Sequence, residues 1–195
     1  ASRTNLGPIR HDVNAVWDLA PHDIAIFNHF LGMSPTWVSA VGVNVLYDGR
    51  VDVGFISLGY PNRVLGHIRV SWADPNKVRE VVVVGSEKRI AFNDVHAQEQ
   101  VRVFEKSVQT TEETEGYPPL VRDGDIISPR LEPGEPLKSQ SRHFLECIVT
   151  GETPQTSARD GLEVVRVMTA VSRSLELDGA PVALAQTGGH VVRTH

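Results

Sequence analysis

The sequence of 195 residues has few of the features that mark secreted, membrane-spanning or nucleic-acid-binding proteins. Its one cysteine, Cys147, cannot form an intramolecular disulfide, so the pattern typical of oxidising compartments is missing. No apolar run approaches the roughly 20 residues that a membrane span needs. The formal net charge of −5 provides no basic stripe for a phosphate backbone. We therefore expect a cytoplasmic protein that binds neither nucleic acid nor membrane.

The chain also lacks an initiator methionine and a secretory signal sequence. It opens with Ala1-Ser2-Arg3, and a motif-like segment follows within a few residues. We interpret it as a piece of a longer protein, with N-terminal processing as the simpler alternative. Nowhere does a glycine-rich Gly-x-Gly-x-x-Gly turn join a strand to a helix. The chain by itself is therefore not expected to bind a dinucleotide in the Rossmann manner.

The composition, with 41% hydrophobic residues, suits a soluble domain with a sizeable core. Over residues 13–31, apolar side chains recur at spacings of three and four, which predicts an amphipathic helix ending at Gly32. Pro21 complicates this helix because an interior proline removes a hydrogen bond. Either Pro21 kinks the helix, or the helix begins near Asp18 and Pro21 lies in its first turn.

From Thr36 onward the apolar period changes to two, which is typical of strands. Strands are expected over 36–47 and 51–60, and Asp48-Gly49 between them predicts a hairpin. Further strands are expected over 64–73, 78–84, 89–92 and 101–104. We expect an antiparallel meander in which consecutive strands pair.

The remainder of the chain is more irregular. Residues 106–137 are charged and rich in proline and glycine, with one strand expected over 120–127. A helix is expected over Ser139–Val149, and a second helix from the cap Ser157 to Gly179. A last strand is expected over 181–184. The order of elements predicts one α+β domain over residues 1–184, with a predominantly antiparallel sheet, followed by a tail over 185–195.

The polar side of the first helix carries the residues best suited to chemistry. At 100° per residue Asn14, Asp18, His22 and His29 fall together, opposite the apolar stripe. Asp18 and His22 are four residues apart, so a carboxylate can orient an imidazole that acts as a general base. Spacing alone favours the alternative, an ordinary Asp–His pair on an exposed helix face.

Three segments of the sequence resemble one known family. The first is Gly7-Pro8-Ile9-Arg10 followed by Trp17-Asp18-Leu19-Ala20-Pro21-His22-Asp23. The second is Ser71-Trp72-Ala73-Asp74-Pro75-Asn76-Lys77-Val78-Arg79 with Gly85. The third is His143-Phe144-Leu145-Glu146-Cys147-Ile148, then Gly151, Pro154, Asp160-Gly161-Leu162-Glu163 and Gly179-Ala180-Pro181-Val182. Together these segments resemble the C-terminal domain of the Gfo/Idh/MocA family of NAD(P)-dependent oxidoreductases.

The resemblance implies a dihydrodipicolinate-reductase-like domain, in which a large mixed open sheet carries helices on one face. It also implies an N-terminal Rossmann domain, absent from this chain, that holds NAD or NADP and contributes a lysine from a Glu-Lys-Pro motif. Asp18 and His22 match the family's Asp/His pair. His22 would take the proton of a sugar hydroxyl, while Asp18 would hold His22 or a neighbouring hydroxyl. Glu105-Lys106-Ser107 lies in the wrong domain for the lysine motif and lacks the proline.

Two residues upstream of the pair are candidate substrate contacts. Arg10 suits a carboxylate or phosphate through its bidentate geometry, with a surface arginine as the alternative. Asn14 would contact substrate or cap the helix. We expect no metal site: the His-Asp pairs superficially suggest a metal phosphohydrolase, but that class is all-helical and no third histidine has suitable spacing.

The first segment resembles a subgroup of this family that acts at the 3-hydroxyl of nucleotide-activated amino sugars or uronic acids. This resemblance implies a dehydrogenase that removes hydride from a hydroxyl carbon of a sugar or nucleotide sugar. The alternative is a non-enzymatic module for dimerisation and ligand binding. An apolar sheet face without helices would need a second subunit to cover it, so we expect a homo-oligomer through the open sheet face. No cofactor is expected to bind tightly to this chain alone.

Overall fold

A computed structural model describes residues 1–7, 9–46, 49–109, 120–132 and 134–185 of the chain. The helices are α1 (Ala15–Leu31), α2 (Pro136–Thr150) and α3 (Ala158–Glu176), with a short 3-10 turn at Pro61–Arg63. The strands are β1 (Ser2–Thr4), β2 (Trp37–Val43), β3 (Val53–Gly59), β4 (Leu65–Ser71), β5 (Val78–Val84), β6 (Arg89–Asn93), β7 (Val101–Phe104), β8 (Ser107–Gln109), β9 (Leu120–Arg122), β10 (Ile126–Ile127) and β11 (Val182–Ala183).

Nine of these strands form one open sheet in the order β10-β7-β6-β5-β1-β4-β3-β2-β11, and β8 pairs with β9 separately. Among the described strands only β1 and β4 are parallel neighbours, so the sheet is mixed but mainly antiparallel. The predicted fold class, an α+β domain built on a large open sheet with helices, is confirmed.

The prediction that consecutive strands pair is wrong at one place. The short strand β1 lies between β4 and β5, with Arg3 opposite Val70 on one side and Arg79 on the other. The chain passes around β1 in a turn that the Ser71 hydroxyl stabilises by accepting hydrogen bonds from the backbone N–H groups of Ala73 and Asp74. A three-residue strand leaves no alternation to detect in the sequence, which is why it was missed.

Helix α1 begins at Ala15, which is earlier than the start near Asp18 that one of the two predicted alternatives required. The Asn14 side chain accepts a hydrogen bond from the backbone N–H of Trp17 at 2.9 Å and caps the helix, so the first turn forms before Asp18. Pro21 therefore lies in the helix interior, and the alternative with Pro21 in the first turn is wrong. The helix continues through Pro21 to Leu31 and ends at Gly32, which has a left-handed φ of 63°.

The core lies between the sheet and the two helices α1 and α3. It joins buried residues of α1, of strands β2 to β5 and of α3, among them Val16, Ala20, Ile24, Val38, Ile56, Leu58, Ile68, Val70, Val81, Val167, Met168 and Val171. Gly54 and Gly66 let α1 approach the sheet closely. A Cβ atom at Gly54 would lie 2.7 Å from Val16, and one at Gly66 would lie 2.9 Å from Phe27.

The face of the nine-stranded sheet opposite α1 and α3, which we call the open face, carries large apolar side chains. Successive strand residues point to opposite faces, so the neighbours of the buried core residues are turned outward. Trp37, Val41, Val43, Phe55 and Leu65 lie on the open face and are between 37% and 66% exposed. So many large exposed apolar side chains on one face of a sheet are unusual for a monomer.

The β2–β3 hairpin departs from the predicted strands at its tip. Strand β2 stops at Val43 because the buried carboxylate of Asp52 accepts hydrogen bonds from the backbone N–H groups of Val45 and Leu46. The predicted Asp48-Gly49 turn lies partly outside the described residues, since Asp48 is not among them. The two strands pair antiparallel from Trp37 opposite Gly59 to Val43 opposite Val53.

The C-terminal part agrees with the predicted elements in outline. Helix α3 begins after Ser157, which forms a capping box with Asp160, and β11 pairs with β2. Helix α2 is longer than predicted because Pro136 occupies its first turn, where proline is tolerated. The single strand expected over 120–127 is wrong: β9 and β10 belong to different sheets, separated at Gly124. Of the predicted tail, residues 186–195 lie outside the described residues.

Candidate active site

Asp18 lies near the start of α1 and is fixed by two donors from other parts of the chain. Its Oδ2 accepts a hydrogen bond from the indole Nε1 of Trp72 at 3.2 Å, and its Oδ1 accepts one from Arg10 Nη1 at 3.4 Å. Trp72 is buried, directly after β4, and so anchors the carboxylate to the sheet. Both carboxylate oxygens of Asp18 are thus engaged within the protein.

His22 follows one helical turn later and is exposed to solvent. The structure places it on the same side of α1 as Asp18, but among the described residues no hydrogen bond joins the two side chains. Arg10 and Trp72 bind the two carboxylate oxygens of Asp18 in this structure, and the orientation of His22 by Asp18 remains an expectation. The other expected role of Asp18, a contact to a substrate hydroxyl, stays a prediction.

Arg10 is close to the pair but is occupied by carboxylates of the protein itself. Its Nε and Nη2 donate to the two oxygens of Asp12, at 3.0 and 2.5 Å, and its Nη1 donates to Asp18. The hydrogen bonds that Arg10 donates to Asp12 raise the pKa of the Arg10 guanidinium above its usual value and lower the pKa of the Asp12 carboxyl below its usual value. Arg10 would have to leave Asp12 in order to bind a substrate anion bidentately.

Asn14, the second candidate contact, takes the capping role that the sequence left open, since its Oδ1 is bound to the Trp17 N–H. It also borders an open depression of about 380 Å³, lined by Asp12, Val13, Asn14, Trp17 and Arg50. Arg50 comes from the tip of the β2–β3 hairpin, and its Nη1 donates to the backbone oxygen of Arg10 at 3.0 Å. The structure thus brings Arg10, Asn14, Asp18 and His22 to one end and one side of α1.

A buried ion pair holds α1 on the sheet beneath these residues. Asp23 is 1% exposed, and its two oxygens accept hydrogen bonds from Arg3 Nε and Nη2 at 3.2 and 2.9 Å. Sequence reasoning assigned no role to Asp23, although a signal exists. Asp23 falls on the apolar stripe with Val16, Ala20 and Phe27, where a charged residue indicates a buried partner.

Three other residues near the pair, Trp72, Arg50 and Trp17, were not predicted from the sequence to contribute to the site. Trp72 is buried, and its indole fixes Asp18. No sequence pattern indicates Arg50, because its position depends on the conformation of the hairpin tip, which Asp52 stabilises. Trp17 is only partly buried and donates from Nε1 to the Ser172 hydroxyl of α3 at 2.8 Å.

The described residues do not fit a nicotinamide dinucleotide. That cofactor needs a glycine-rich turn between a strand and a helix in a parallel βαβ unit. In the part of the chain that the structure describes, the parallel pair β1–β4 is separated in sequence by α1, β2 and β3, and no glycine-rich turn joins it to a helix. Within the same residues no group of three or more His, Cys, Asp or Glu is placed to hold a metal ion. No helix among them is long and apolar enough to cross a membrane.

Comparison with solved structures identifies the fold. UDP-N-acetylglucosamine 3-dehydrogenase from Acidithiobacillus ferrooxidans aligns with a TM-score of 0.76 at 18% identity, covering 91% of this chain and 54% of that one. Aldose-aldose oxidoreductase from Caulobacter crescentus aligns with a TM-score of 0.71 at 19% identity, covering 94% and 54%. The WlbA dehydrogenase from Bordetella pertussis, solved with NADH and UDP-GlcNAcA, aligns with a TM-score of 0.62 at 18% identity, covering 90% and 46%.

The chain thus spans about half the length of these solved proteins, and at such identities the likeness shows the fold alone. No curated protein matches the sequence. Residues 8–91, which include α1 with Asp18 and His22, match the family model described as the GFO/IDH/MocA C-terminal domain. Residues 8–91 are thus similar to the C-terminal domain of the Gfo/Idh/MocA family, and the described residues share the fold of these solved oxidoreductases.

Proposed function

We propose that residues 1–184 form the substrate-binding and oligomerisation domain of a dehydrogenase that acts on a hydroxyl carbon of a sugar or nucleotide sugar, with residues 185–195 as a tail. The observation that carries this proposal is the arrangement on α1. There a carboxylate fixed by Trp72 and Arg10 lies one turn from an exposed imidazole, inside the segment that matches the family. Two of the solved relatives are named for nucleotide-sugar substrates or are bound to one, which supports the substrate class.

His22 is the general base of this proposal. An unprotonated ring nitrogen of His22 accepts the proton of the substrate hydroxyl as the same carbon gives up a hydride, so that the alcohol becomes a carbonyl. The exposure of His22 and the absence of a hydrogen bond to it from the described residues leave both ring nitrogens accessible to a substrate. The hydride acceptor, NAD or NADP, belongs to a Rossmann domain that we propose completes the enzyme.

Asp18 is a fixed acceptor for a second hydroxyl of the sugar. A carboxylate oxygen has room for more than one hydrogen bond, and among the described residues each oxygen of Asp18 has one donor. Because Trp72 and Arg10 fix its position, Asp18 can orient a sugar ring against His22 without reorganisation. Arg10 contributes by holding Asp18, and Asn14 by starting the helix that carries both residues.

The open face of the sheet supports a homo-oligomer. Its exposed Trp37, Val41, Val43, Phe55 and Leu65 form an apolar surface that a second copy of the chain would cover in a two-fold arrangement. This surface also favours the second candidate function, a non-enzymatic dimerisation and ligand-binding module. The two functions differ in whether the assembled protein transfers hydride.

The proposed homo-oligomer through the open face can be tested by a single substitution. Val41→Lys places a charge among the exposed apolar residues of the open face and should shift the protein toward monomer at micromolar concentration, because a buried unpaired charge is costly. Val149→Lys, an equal change at the exposed end of α2, should leave the assembly unchanged. Sedimentation velocity distinguishes the forms. A wild-type chain that sediments only as a monomer contradicts the proposal.

Turnover tests the proposed enzyme. A polypeptide that joins this chain to its cofactor-binding domain should reduce NAD or NADP in the presence of UDP-N-acetylglucosamine, its 6-carboxylate, or a free sugar. The 195-residue chain alone should show no such reduction. If the assembled protein binds the cofactor but reduces it with none of these compounds, the dehydrogenase is rejected and the binding module stands.

A further inference from the structure

The depression beside the start of α1 lies next to the proposed catalytic pair but is not part of it. Its lining combines the cation of Arg50, the indole of Trp17 and the amide of Asn14, around an open volume of about 380 Å³. It is joined to the pair through Arg10, whose backbone oxygen binds Arg50 and whose guanidinium binds Asp18. Nothing in the proposed proton transfer uses this depression.

Arg50 is the cation in this region that a ligand can reach. In the part of the chain that the structure describes, its guanidinium makes a single hydrogen bond, from Nη1 to the Arg10 backbone. Arg10, by contrast, is paired with Asp12 and Asp18. The one acidic side chain that lines the depression, Asp12, is already matched by Arg10. A guanidinium has five N–H donors in a fork that fits a carboxylate or phosphate, so Arg50 retains donors for an anion.

The position of Arg50 is set by the fold. The buried Asp52 carboxylate accepts hydrogen bonds from the backbone N–H groups of Val45 and Leu46 and so shapes the hairpin tip. The backbone N–H of Ala15 donates to the Val51 carbonyl at 3.0 Å, which joins the hairpin to the start of α1. Trp17 is held in turn by the hydrogen bond from its indole to Ser172. The two side chains that would contact a ligand most extensively are therefore positioned by elements from three parts of the chain.

The distance between the depression and His22 bears on the ligand. Eight residues separate Asn14 from His22, which at 1.5 Å per residue is about 12 Å along the helix axis. This is more than one sugar ring spans, so a free monosaccharide at His22 does not reach Arg50. A sugar that carries an extension with a negative charge reaches both places.

We propose that the depression lined by Asn14, Trp17 and Arg50 is a subsite for an anionic group, phosphate or carboxylate, carried by an extension of the sugar substrate. Arg50 binds the anion through its free N–H donors, the Asn14 amide donates a further hydrogen bond, and the Trp17 ring packs against the apolar part of the extension. The identity of the ligand as a substrate rests on the proposed function, whereas the binding of the anion does not.

Calorimetric titration of the 195-residue chain tests the subsite, with UDP, glucuronate and neutral N-acetylglucosamine as probes. We expect UDP or glucuronate to bind and Arg50→Gln to weaken that binding about 10- to 100-fold, as the loss of charge-assisted hydrogen bonds requires. Arg50→Lys, which keeps the charge but not the fork, should fall between. Arg130→Gln, an equal change of charge at an exposed loop residue, should bind as the wild type does.

The probes also identify the source of the anion. An Arg50-dependent affinity for UDP assigns a diphosphate, and one for glucuronate assigns a carboxylate. The subsite is refuted if neither anion binds at millimolar concentration, or if Arg50→Gln and Arg130→Gln bind them equally while both variants unfold at the wild-type temperature. If the assembled protein binds the anion through Arg50 but transfers no hydride, the subsite is supported and the proposed dehydrogenase function is rejected.

Discussion

Replacing Asp23 by alanine is expected to lower the free energy of unfolding by about 3–5 kcal/mol, which is the usual cost of leaving one member of a buried ion pair alone. The carboxylate is almost fully buried and bound at both oxygens by Arg3. After the substitution the Arg3 guanidinium would remain between α1 and the sheet without a partner. Chemical denaturation followed by circular dichroism measures the change.

A matched control separates burial from charge. Glu176→Ala removes the exposed ion pair with Arg173, and exposed pairs contribute little to stability, so this variant should unfold close to the wild type. The double variant Arg3→Met with Asp23→Leu should recover much of the loss, because two apolar side chains need no compensation. A loss for Asp23→Ala no larger than for Glu176→Ala would mean that the pair does not anchor the helix.

This prediction bears on function because Asp23 is the neighbour of His22 in sequence. Arg3 lies in β1, at the centre of the sheet, so the pair fixes the position of α1 relative to β4. Trp72 follows β4 directly and holds Asp18. The ion pair and the Trp72–Asp18 hydrogen bond therefore attach two successive turns of α1 to the same part of the sheet. Disturbing one should also disturb the spacing of the proposed pair.

Elements with a local signal were predicted well from sequence. The apolar stripe that defines α1, the alternation in β2 to β7 and the Ser157 cap of α3 each depend on residues close together in the chain. Periodicity of this kind reports which face is buried, whatever it is buried against. The resemblance to the family predicted the large open sheet, which periodicity alone does not predict.

Features that depend on distant residues were not predictable in the same way. Strand β1 pairs with residues more than 60 positions away, and its three residues carry no alternation. Asp18 accepts a hydrogen bond from Trp72 across 54 positions, a partner that no local pattern indicates. Arg50 reaches the start of α1 only because Asp52 holds the hairpin tip. In each case a tertiary contact decided the outcome.

The largest functional effect is expected at His22. In the assembled dehydrogenase, His22→Gln should lower kcat about 10²- to 10⁴-fold, the range that a positioned general base contributes. Glutamine retains hydrogen-bonding ability but does not take up a proton, so substrate binding should change far less than kcat. His29→Gln replaces the exposed histidine two turns along the same side of α1 and should leave kcat unchanged.

The pH profile gives a readout that a purely structural role would not change. A general base must be unprotonated to act, so kcat/KM of the wild type should fall toward acidic pH, and His22→Gln should lose that limb. Asp18→Asn keeps the shape of the side chain but removes the charge that would orient a sugar hydroxyl, so it should raise KM while the acidic limb persists. Equal rates for His22→Gln and His29→Gln would exclude His22 as the base. If Asp18→Asn also abolished the limb, the carboxylate itself would be the proton acceptor, and the roles of the two residues would be exchanged.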